Sequence, residues 1–210
     1  MANMFGDRKK SWNCWSLCGL IDLVSIKTQI ISDQNSWTTK MVVVGSRFIL
    51  KKIGEEQTEL FLAINYETNR EVVMESVDLI FHVVLLARSI GLNLNNIIWL
   101  IDCVNTEAPT QHSMEQPNLL IRNKSNYGID YPLSTNKIQG NKPYNVIFGR
   151  LNSSILNLFM VIIGLGTNGC QYHDMLNTLF LDILQNIITL IYSRGIKYSE
   201  IINEIINRIG

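Results

Sequence analysis

The chain is poor in cysteine and proline and has no excess of charge of either sign. Its 210 residues include four cysteines and four prolines, and 18 basic residues balance 18 acidic ones. A balanced charge gives no reason to expect a nucleic acid or an anionic membrane surface as a partner. Because the cysteines are sparse and the only closely spaced pair, Cys14 and Cys18, lacks two further nearby zinc ligands, we interpret Cys14, Cys18, Cys103 and Cys170 as unlinked thiols in a reducing cytosol.

Targeting signals and long apolar runs are also lacking. No apolar run of signal length follows the basic residues 8–10. The longest apolar stretches, near Leu156–Leu165 and Leu176–Tyr192, are short or carry polar residues such as Asp182, and so fall below the length expected of a membrane span. We therefore expect a cytoplasmic protein with no membrane partner.

Apolar residues recur at helical spacing through most of the chain, which predicts an all-α fold. Residues 106–143 interrupt this pattern: they hold all four prolines, have no sustained period and indicate a linker or a poorly ordered insertion. Gly91 is predicted to end one of the helices. The helices expected before the interruption cover about residues 15–31, 46–66, 70–89 and 94–104.

The part of the chain after the interruption echoes the part before it. Residues 193–202 resemble residues 89–98, and residues 150–159 align with residues 52–61. Asp182 takes the place of Asp78. This internal similarity predicts a first helical domain over residues 1–105 and a degenerate second helical repeat over residues 144–210. The acidic positions are the ones that degenerate: Glu55, Glu56, Glu59 and Glu75 become Ser153, Ser154, Asn157 and Leu179.

In the first copy, four carboxylates stand at spacings that bring them together. Glu56 and Glu59 are three residues apart, as are Glu75 and Asp78, and residues three apart share a helix face. The short polar segment 65–69 predicts a turn that makes the two helices antiparallel neighbours. Four converging carboxylates repel one another unless a cation lies between them, and oxygen ligands suit Mg²⁺ or Mn²⁺.

The competing interpretation is that these acidic residues only form a solvated helix face, as most do. A single pair at this spacing would favour that interpretation. Two matched pairs at one hairpin, embedded among apolar residues, favour a metal site instead.

Several segments together resemble a known family. They are Ser36-x-Thr38-x-Lys40, the run Lys51-Lys52-Ile53-Gly54-Glu55-Glu56, and Asp78-Leu79-x-x-His82, set around the pattern E-E-x-x-E…E-x-x-D. Over about residues 15–105 the chain resembles phosphoribosyl-ATP pyrophosphatase, an enzyme of histidine biosynthesis in the all-α nucleotide pyrophosphohydrolase superfamily. The stretch before Trp15 is too short for the cyclohydrolase domain that is often fused upstream, so only the pyrophosphatase step is implied.

The resemblance implies an antiparallel helical bundle that forms homodimers, binds Mg²⁺ and hydrolyses phosphoribosyl-ATP to phosphoribosyl-AMP and pyrophosphate. It implies that Glu55 and Glu56 are catalytic, with Glu55 binding a second ion or orienting the attacking water. The remaining implied roles are metal binding by Glu56, Glu59, Glu75 and Asp78, substrate binding by Thr38, Lys40, Lys51 and Lys52, and support of a metal ligand by His82.

Some of these roles have a plain structural alternative. An exposed lysine such as Lys51 is often merely solvated, and a histidine on an apolar helix such as His82 is more often a core residue. Two other functions remain open: a house-cleaning pyrophosphohydrolase of ordinary nucleoside triphosphates, and an inactive helical interaction module. The assembly is predicted to be either a homodimer or a monomeric pseudo-dimer, in which the second copy packs against the first.

Overall fold

The computed structural model describes residues 17, 44–94, 101, 143–164 and 172–209. Every regular element in these residues is an α-helix, which confirms the predicted all-α helical bundle. The helices are α1 (Ser46–Tyr66), α2 (Asn69–Ser89), α3 (Pro143–Gly164), α4 (His173–Ser193) and α5 (Tyr198–Ile209).

The first two helices form a hairpin with a two-residue connection. Helix α1 begins after Gly45, whose φ of 95° is a backbone conformation that glycine adopts without strain. Glu67 and Thr68 link α1 to α2, and the Thr68 hydroxyl bonds to the carboxylate of Glu71 in the first turn of α2. The predicted turn therefore lies where the sequence placed it, and α1 and α2 are antiparallel neighbours.

The second hairpin, α3 and α4, repeats local features of the first. Helices α2 and α4 both end at a glycine with positive φ, Gly91 at 78° and Gly195 at 73°. After each glycine the next amide bonds back to a carbonyl five residues earlier, Leu92 N to Ala87 O at 2.9 Å and Ile196 N to Ile191 O at 3.3 Å. The two helix ends are thus built in the same way, 104 positions apart.

The two halves of the chain share one hydrophobic core. Ile53 and Leu60 of α1 lie in the same buried cluster as Phe180 and Ile187 of α4. Helix α1 contacts α3, and α2 contacts both α4 and α5. Helix α5 belongs to the second half by sequence, yet it packs more extensively against α2 than against α4.

Two polar contacts also join the halves. Gln57 on α1 donates to the side-chain oxygen of Asn152 on α3 at 2.7 Å. The Arg194 guanidinium, just after α4, donates to the carbonyl oxygens of Ile64 at 3.0 Å and Glu67 at 3.1 Å. Arg194 therefore caps the C-terminal end of α1, where helix carbonyls lack partners within the helix.

We expected the apolar runs to be too short to span a membrane. Judged by length and composition alone, that expectation is wrong for two helices. The helical segments Tyr144–Gly164 and His173–Ser193 have 21 residues each and are apolar enough to cross a membrane by those criteria alone. The reason is that each helix extends beyond the apolar stretch read from sequence. Half of the α4 segment is buried in the fold, as in the core helix of a soluble protein, but only 17% of the α3 segment is.

Several predicted features lie outside the described residues. They are the helices over residues 15–31 and 94–104, apart from single positions, the linker 106–143 up to the start of α3, and all four cysteines.

Candidate metal centre

Three carboxylates of the first hairpin meet in one place. One ligand oxygen from each of Glu56, Glu75 and Asp78 lies within 4.8 Å of the other two. Glu56 comes from α1, and Glu75 and Asp78 come from successive turns of α2. The structure thus brings together three of the four predicted metal ligands, by the antiparallel pairing that the spacing predicted.

Glu59, the fourth predicted ligand, is exposed at the edge of this cluster. It lies one turn beyond Glu56 on α1, and its negative charge is one of the causes that raise the pKa of Glu75. Glu59 therefore adds negative charge at the solvent side of the other three carboxylates.

The pKa of Glu75 shows that the carboxylates of this cluster repel one another. Burial, followed by repulsion from Glu59, Asp78 and Glu56, raises the pKa of Glu75 to about 7. Near neutral pH Glu75 is therefore partly protonated, whereas an ordinary surface glutamate is ionised. A divalent cation would relieve the same repulsion by another route.

Glu56 is the most buried member, with a relative exposure of 5%. Burial raises the pKa of Glu56, while Lys52 opposes that shift from 3.1 Å. Buried carboxylates are rare unless they are paired or bind a metal. Since Lys52 is shared with Glu55, Glu56 is only partly neutralised by the protein itself.

Glu55 and the two lysines form a separate group beside the cluster. Lys52 bonds to Glu55 at 2.8 Å, and Lys51 lies 3.3 Å from the other oxygen of Glu55. These contacts lower the pKa of Glu55, chiefly through Lys52. Lys51 is 70% exposed, so its side chain is free to reach a ligand or merely to remain solvated.

His82 is a buried residue of α2 that lies next to two of the carboxylate residues. Its Nδ1 lies 2.8 Å from the carbonyl oxygen of Asp78, one turn earlier on α2. Because a carbonyl only accepts, Nδ1 carries the proton. Burial lowers the pKa of His82, so the ring is neutral near pH 7 and its 3.8 Å approach to Glu56 is not an ion pair. His82 touches both helices of the site through Asp78 and Glu56.

Arg208 is a site neighbour that the motifs did not predict. It comes from α5, in the second half, and its Nη1 donates to a carboxylate oxygen of Asp78. Its Nη2 donates to the carbonyl of Met74 at 3.3 Å, and its Nε donates to Glu204 at 2.7 Å. Although desolvation works against it, the bonds to Glu204 and Asp78 raise the pKa of Arg208. The similarity between residues 89–98 and 193–202 identifies α5 as the counterpart of a first-half segment, but it does not indicate that Arg208 reaches Asp78.

This donor set has the chemistry of a site for a hard divalent ion. All of its ligand atoms are carboxylate oxygens, which suit Mg²⁺ or Mn²⁺ better than softer metals. Lys52 contacts Glu56 and Arg208 contacts Asp78, but two cations shared among several carboxylates leave net negative charge in the cluster.

The second hairpin lacks such a cluster within the described residues. At the matching positions it has Ser153, Ser154, Asn157 and Leu179. Only Asp182 keeps its acidic character, and it is buried. Asn186 stands where His82 does and makes the same kind of bond, to the carbonyl of Asp182 at 2.8 Å. The frame of the site is thus repeated without its ligands.

The two remaining predicted site residues, Thr38 and Lys40, lie outside the described residues.

Comparison with known proteins concerns the part of the chain that contains this site. Residues 21–102 match the family model described as Phosphoribosyl-ATP pyrophosphohydrolase. The predicted family resemblance is confirmed over this segment. The match includes all four candidate metal ligands and ends before α3.

Individual relatives agree with this family. The chain is 40% identical over 67 residues to the phosphoribosyl-ATP pyrophosphatase of Methanosarcina acetivorans, which covers 31% of this chain and 64% of that protein. It is 43% identical over 61 residues to the phosphoribosyl-ATP pyrophosphatase of Bacillus cytotoxicus, covering 28% and 57%. With the histidine biosynthesis bifunctional protein HisIE of Xanthomonas campestris pv. campestris it shares 33% over 84 residues, covering 40% and 41%.

The chain thus spans less than two thirds of the length of each of these relatives. No solved structure matches the chain.

Proposed function

We propose that this protein hydrolyses phosphoribosyl-ATP to phosphoribosyl-AMP and pyrophosphate, a step of histidine biosynthesis, using a divalent cation held by the first hairpin. The observation that carries the proposal is the convergence of Glu56, Glu75 and Asp78 within 4.8 Å, inside the segment that matches the pyrophosphohydrolase family. Of the relatives named above, two carry the name phosphoribosyl-ATP pyrophosphatase and one is named as a bifunctional protein of histidine biosynthesis.

Mg²⁺ is the proposed ion, and Mn²⁺ is an alternative with the same ligand preference. Glu56, Glu75 and Asp78 would hold it, with Glu59 completing the set from the solvent side. Bound there, the ion would neutralise phosphate charge and help to position the attacking water. The raised pKa of Glu75 supports this assignment, because it reflects negative charge that the protein leaves uncompensated.

The other residues of the site have roles that follow from their positions. Glu55 is partly exposed and is held by Lys51 and Lys52 beside the cluster, which suits a carboxylate that orients the attacking water or binds a second ion. Lys52 contacts both Glu55 and Glu56, so it would hold the carboxylate that orients the water at a fixed position relative to the carboxylate that binds the ion. Lys51 is 70% exposed although it pairs with Glu55, so its ammonium group is accessible to a phosphate oxygen. His82 supports the site by holding the Asp78 turn of α2 against Glu56.

The experiment that tests the proposal is a substrate panel. The purified chain is given phosphoribosyl-ATP, ATP, dTTP or dUTP, with Mg²⁺ or with a chelator, and the pyrophosphate released is measured. We expect release from phosphoribosyl-ATP that requires Mg²⁺ and exceeds release from the other nucleotides. Release from ordinary nucleoside triphosphates alone would keep the site but show a house-cleaning enzyme. No release from any of them by the folded chain would leave the helical interaction module as the better interpretation.

We further propose that the chain is an intramolecular pseudo-dimer, with residues 1–105 as the catalytic domain, 106–143 as a connection and 144–210 as a degenerate repeat. The proposal is supported by the common core of the two halves and by the packing of α5 against α2. A monomeric mass in solution is expected. A dimer in which the first halves of two chains contact each other would contradict it.

A cytoplasmic location and the absence of nucleic-acid or membrane partners go with this function. The exposed apolar face of α3, where Leu156, Met160 and Ile163 are more than half exposed, makes the location worth testing. Cell fractionation should recover the protein in the soluble fraction without detergent. Recovery only in the membrane fraction would contradict this part of the proposal.

A further inference from the structure

The second half of the chain has a carboxylate at only one of the four candidate ligand positions, Asp182, yet it supplies a basic residue to the carboxylates of the first half. Arg208 on α5 bonds to Asp78 on α2, and these two positions are 130 residues apart in the chain. The rest of the guanidinium is held by Glu204 and by the carbonyl of Met74. Three of its nitrogens therefore have fixed partners, and the side chain is placed rather than free.

The first half of the chain has no arginine at the position that matches Arg208. In the register that aligns Gly91 with Gly195, Arg208 corresponds to Val104. The first half thus has all four candidate acidic ligands without this arginine, and the second half has the arginine with only Asp182 of the four. Together, the two halves provide one set of four carboxylates and one arginine per chain.

We propose that the working site is composite and that Arg208 binds a phosphate group of the substrate there. This inference rests on the proposed pyrophosphohydrolase function. The second half of the chain would then be required for substrate binding as well as for packing. Arg208 would supply a cation at Asp78 as Lys52 does at Glu56, so that an anionic substrate meets positive charge from both halves of the chain.

The chemistry of arginine suits this role. A guanidinium presents several N–H donors in a fixed plane that matches the oxygens of a phosphate group. The side chains of Arg208 and Asp78 are 32% and 35% exposed, so their contact lies at the surface of the cluster, where a ligand has access. A cation bound by Asp78 would compete with Arg208 for its carboxylate, which would free Nη1 for a substrate oxygen. Glu204 would keep the guanidinium in place meanwhile, as a positioning residue.

A purely structural role for Arg208 is the alternative, since it also ties α5 to α2. The chain offers a matched control in Arg194, which likewise reaches from the second half to the first, through the carbonyls of Ile64 and Glu67. These carbonyls are at the C-terminal end of α1, and the structure shows no bond from Arg194 to Glu56, Glu75 or Asp78. If only the tie between the halves matters, the two arginines should behave alike.

The test compares the natural chain with the variants Arg208→Gln, Arg208→Lys and Arg194→Gln. Binding of inorganic pyrophosphate in the presence of Mn²⁺, and binding of Mn²⁺ alone, are measured by calorimetry. For the chains that hydrolyse phosphoribosyl-ATP, KM and kcat are measured separately. Thermal unfolding is followed for all four proteins.

We expect Arg208→Gln to weaken pyrophosphate binding and raise KM by roughly 10- to 100-fold, the usual loss for a hydrogen bond to a charged group. Mn²⁺ should bind Arg208→Gln as tightly as the natural chain or more tightly, because a positive charge next to the ion has been removed. Arg208→Lys should lie between the two, as it keeps the charge without the planar fork. Arg194→Gln should lower the unfolding temperature without changing pyrophosphate affinity.

Three outcomes would overturn the inference: unchanged pyrophosphate affinity in Arg208→Gln, equal losses in the Arg208→Gln and Arg194→Gln variants, or no pyrophosphate binding by the natural chain with Mn²⁺. The pyrophosphate measurement is independent of turnover. If the natural chain binds pyrophosphate through Arg208 but does not hydrolyse phosphoribosyl-ATP, the proposed function fails while the composite binding site stands.

Discussion

The α1–α2 hairpin and the α3–α4 hairpin have the same frame, and they differ where the chemistry would occur. Both second helices end at a glycine with positive φ, and both carry a serine whose hydroxyl bonds to the carbonyl three residues earlier, Ser89 to Leu86 and Ser193 to Leu190. Only the first hairpin brings a set of carboxylates together among the described residues. The features that build a helix end have been kept in both copies, whereas the costly charges have been kept in one.

That difference is informative because charges at this position work against folding. Converging carboxylates repel one another and lose hydration, as the raised pKa of Glu75 indicates. A copy that no longer needs them is relieved by replacing them with Ser153, Ser154, Asn157 and Leu179. The retention of all four in the first copy therefore points to a use for them.

The largest effect is expected from removing the most buried proposed ligand in the first hairpin, Glu56, and not its counterpart in the second. Changes near a metal ligand commonly cost about 10- to 100-fold in metal affinity or activity, so Glu56→Gln should lower Mg²⁺-dependent release of pyrophosphate by more than about 100-fold. The matched change in the second hairpin, Ser154→Ala, should leave the rate within about twofold of the natural chain. Equal losses in the two variants, measured in the same assay, would remove the distinction between the hairpins.

A second prediction concerns the cost of the cluster to stability. In metal-free protein at pH 8, where Glu75 is mostly ionised, Glu75→Gln removes one of the repelling charges and should raise stability by about 1 kcal/mol after solvent screening, or about 2–4 °C in the unfolding temperature. The same variant should bind Mn²⁺ more weakly. Glu67→Gln, at an exposed position after α1, serves as the control and should change neither property. A metal-free Glu75→Gln protein that is less stable than the natural chain would contradict the account.

The third prediction is the pH dependence of metal-free stability. The pKa of Glu75 is about 7 in the folded chain and is higher than in the unfolded chain, so the folded chain binds more protons between about pH 4.5 and 7. This group's contribution to the free energy of unfolding should therefore fall as pH rises through that window and level off above it. Denaturant titrations of the natural chain and Glu75→Gln at several pH values isolate this contribution.

A divalent ion should reverse that trend. Metal binding competes with the proton on Glu75, so added Mn²⁺ should stabilise the natural chain more at pH 8 than at pH 5. Stabilisation by Mn²⁺ that is the same at both pH values would show that the ion binds elsewhere.

The smallest effect tests the equivalence of the two frames. Gly91 and Gly195 have positive φ with open space around the position of a Cβ, so an alanine at either site meets backbone strain rather than a clash. Each glycine-to-alanine change should cost about 1 kcal/mol, or roughly 2–4 °C in unfolding temperature. Gly149→Ala, within helix α3 and also in open space, should stabilise slightly by helix propensity. Clearly unequal costs at Gly91 and Gly195 would mean that the two hairpins do not contribute equally to one folding unit.

Much of the first hairpin could be predicted from sequence because its signals are local. Apolar spacing defined α1 and α2, a short polar segment defined the turn, and spacing by three placed Glu75 and Asp78 on one face of α2. Once the turn is short, the antiparallel pairing follows, and so does the meeting of Glu56 with the other two.

What the sequence did not reveal depends on long-range packing. The bond between Arg208 and Asp78 arises because α5 crosses to α2, and neither residue carries a local sign of the other. The partial exposure of Glu59 and the hold of Lys52 on both Glu55 and Glu56 depend on side-chain positions that helical periodicity leaves open. Helix α3 was underestimated as an apolar segment because its helix continues well upstream of Leu156.

The most direct test of the central claim is to locate a bound ion. Crystals of the protein grown with Mn²⁺ should show anomalous scattering from manganese between Glu56, Glu75 and Asp78, with carboxylate oxygens at about 2.0–2.2 Å, and no such signal beside Asp182. A signal at the second hairpin, or none among the three carboxylates of the first at saturating Mn²⁺, would contradict the account.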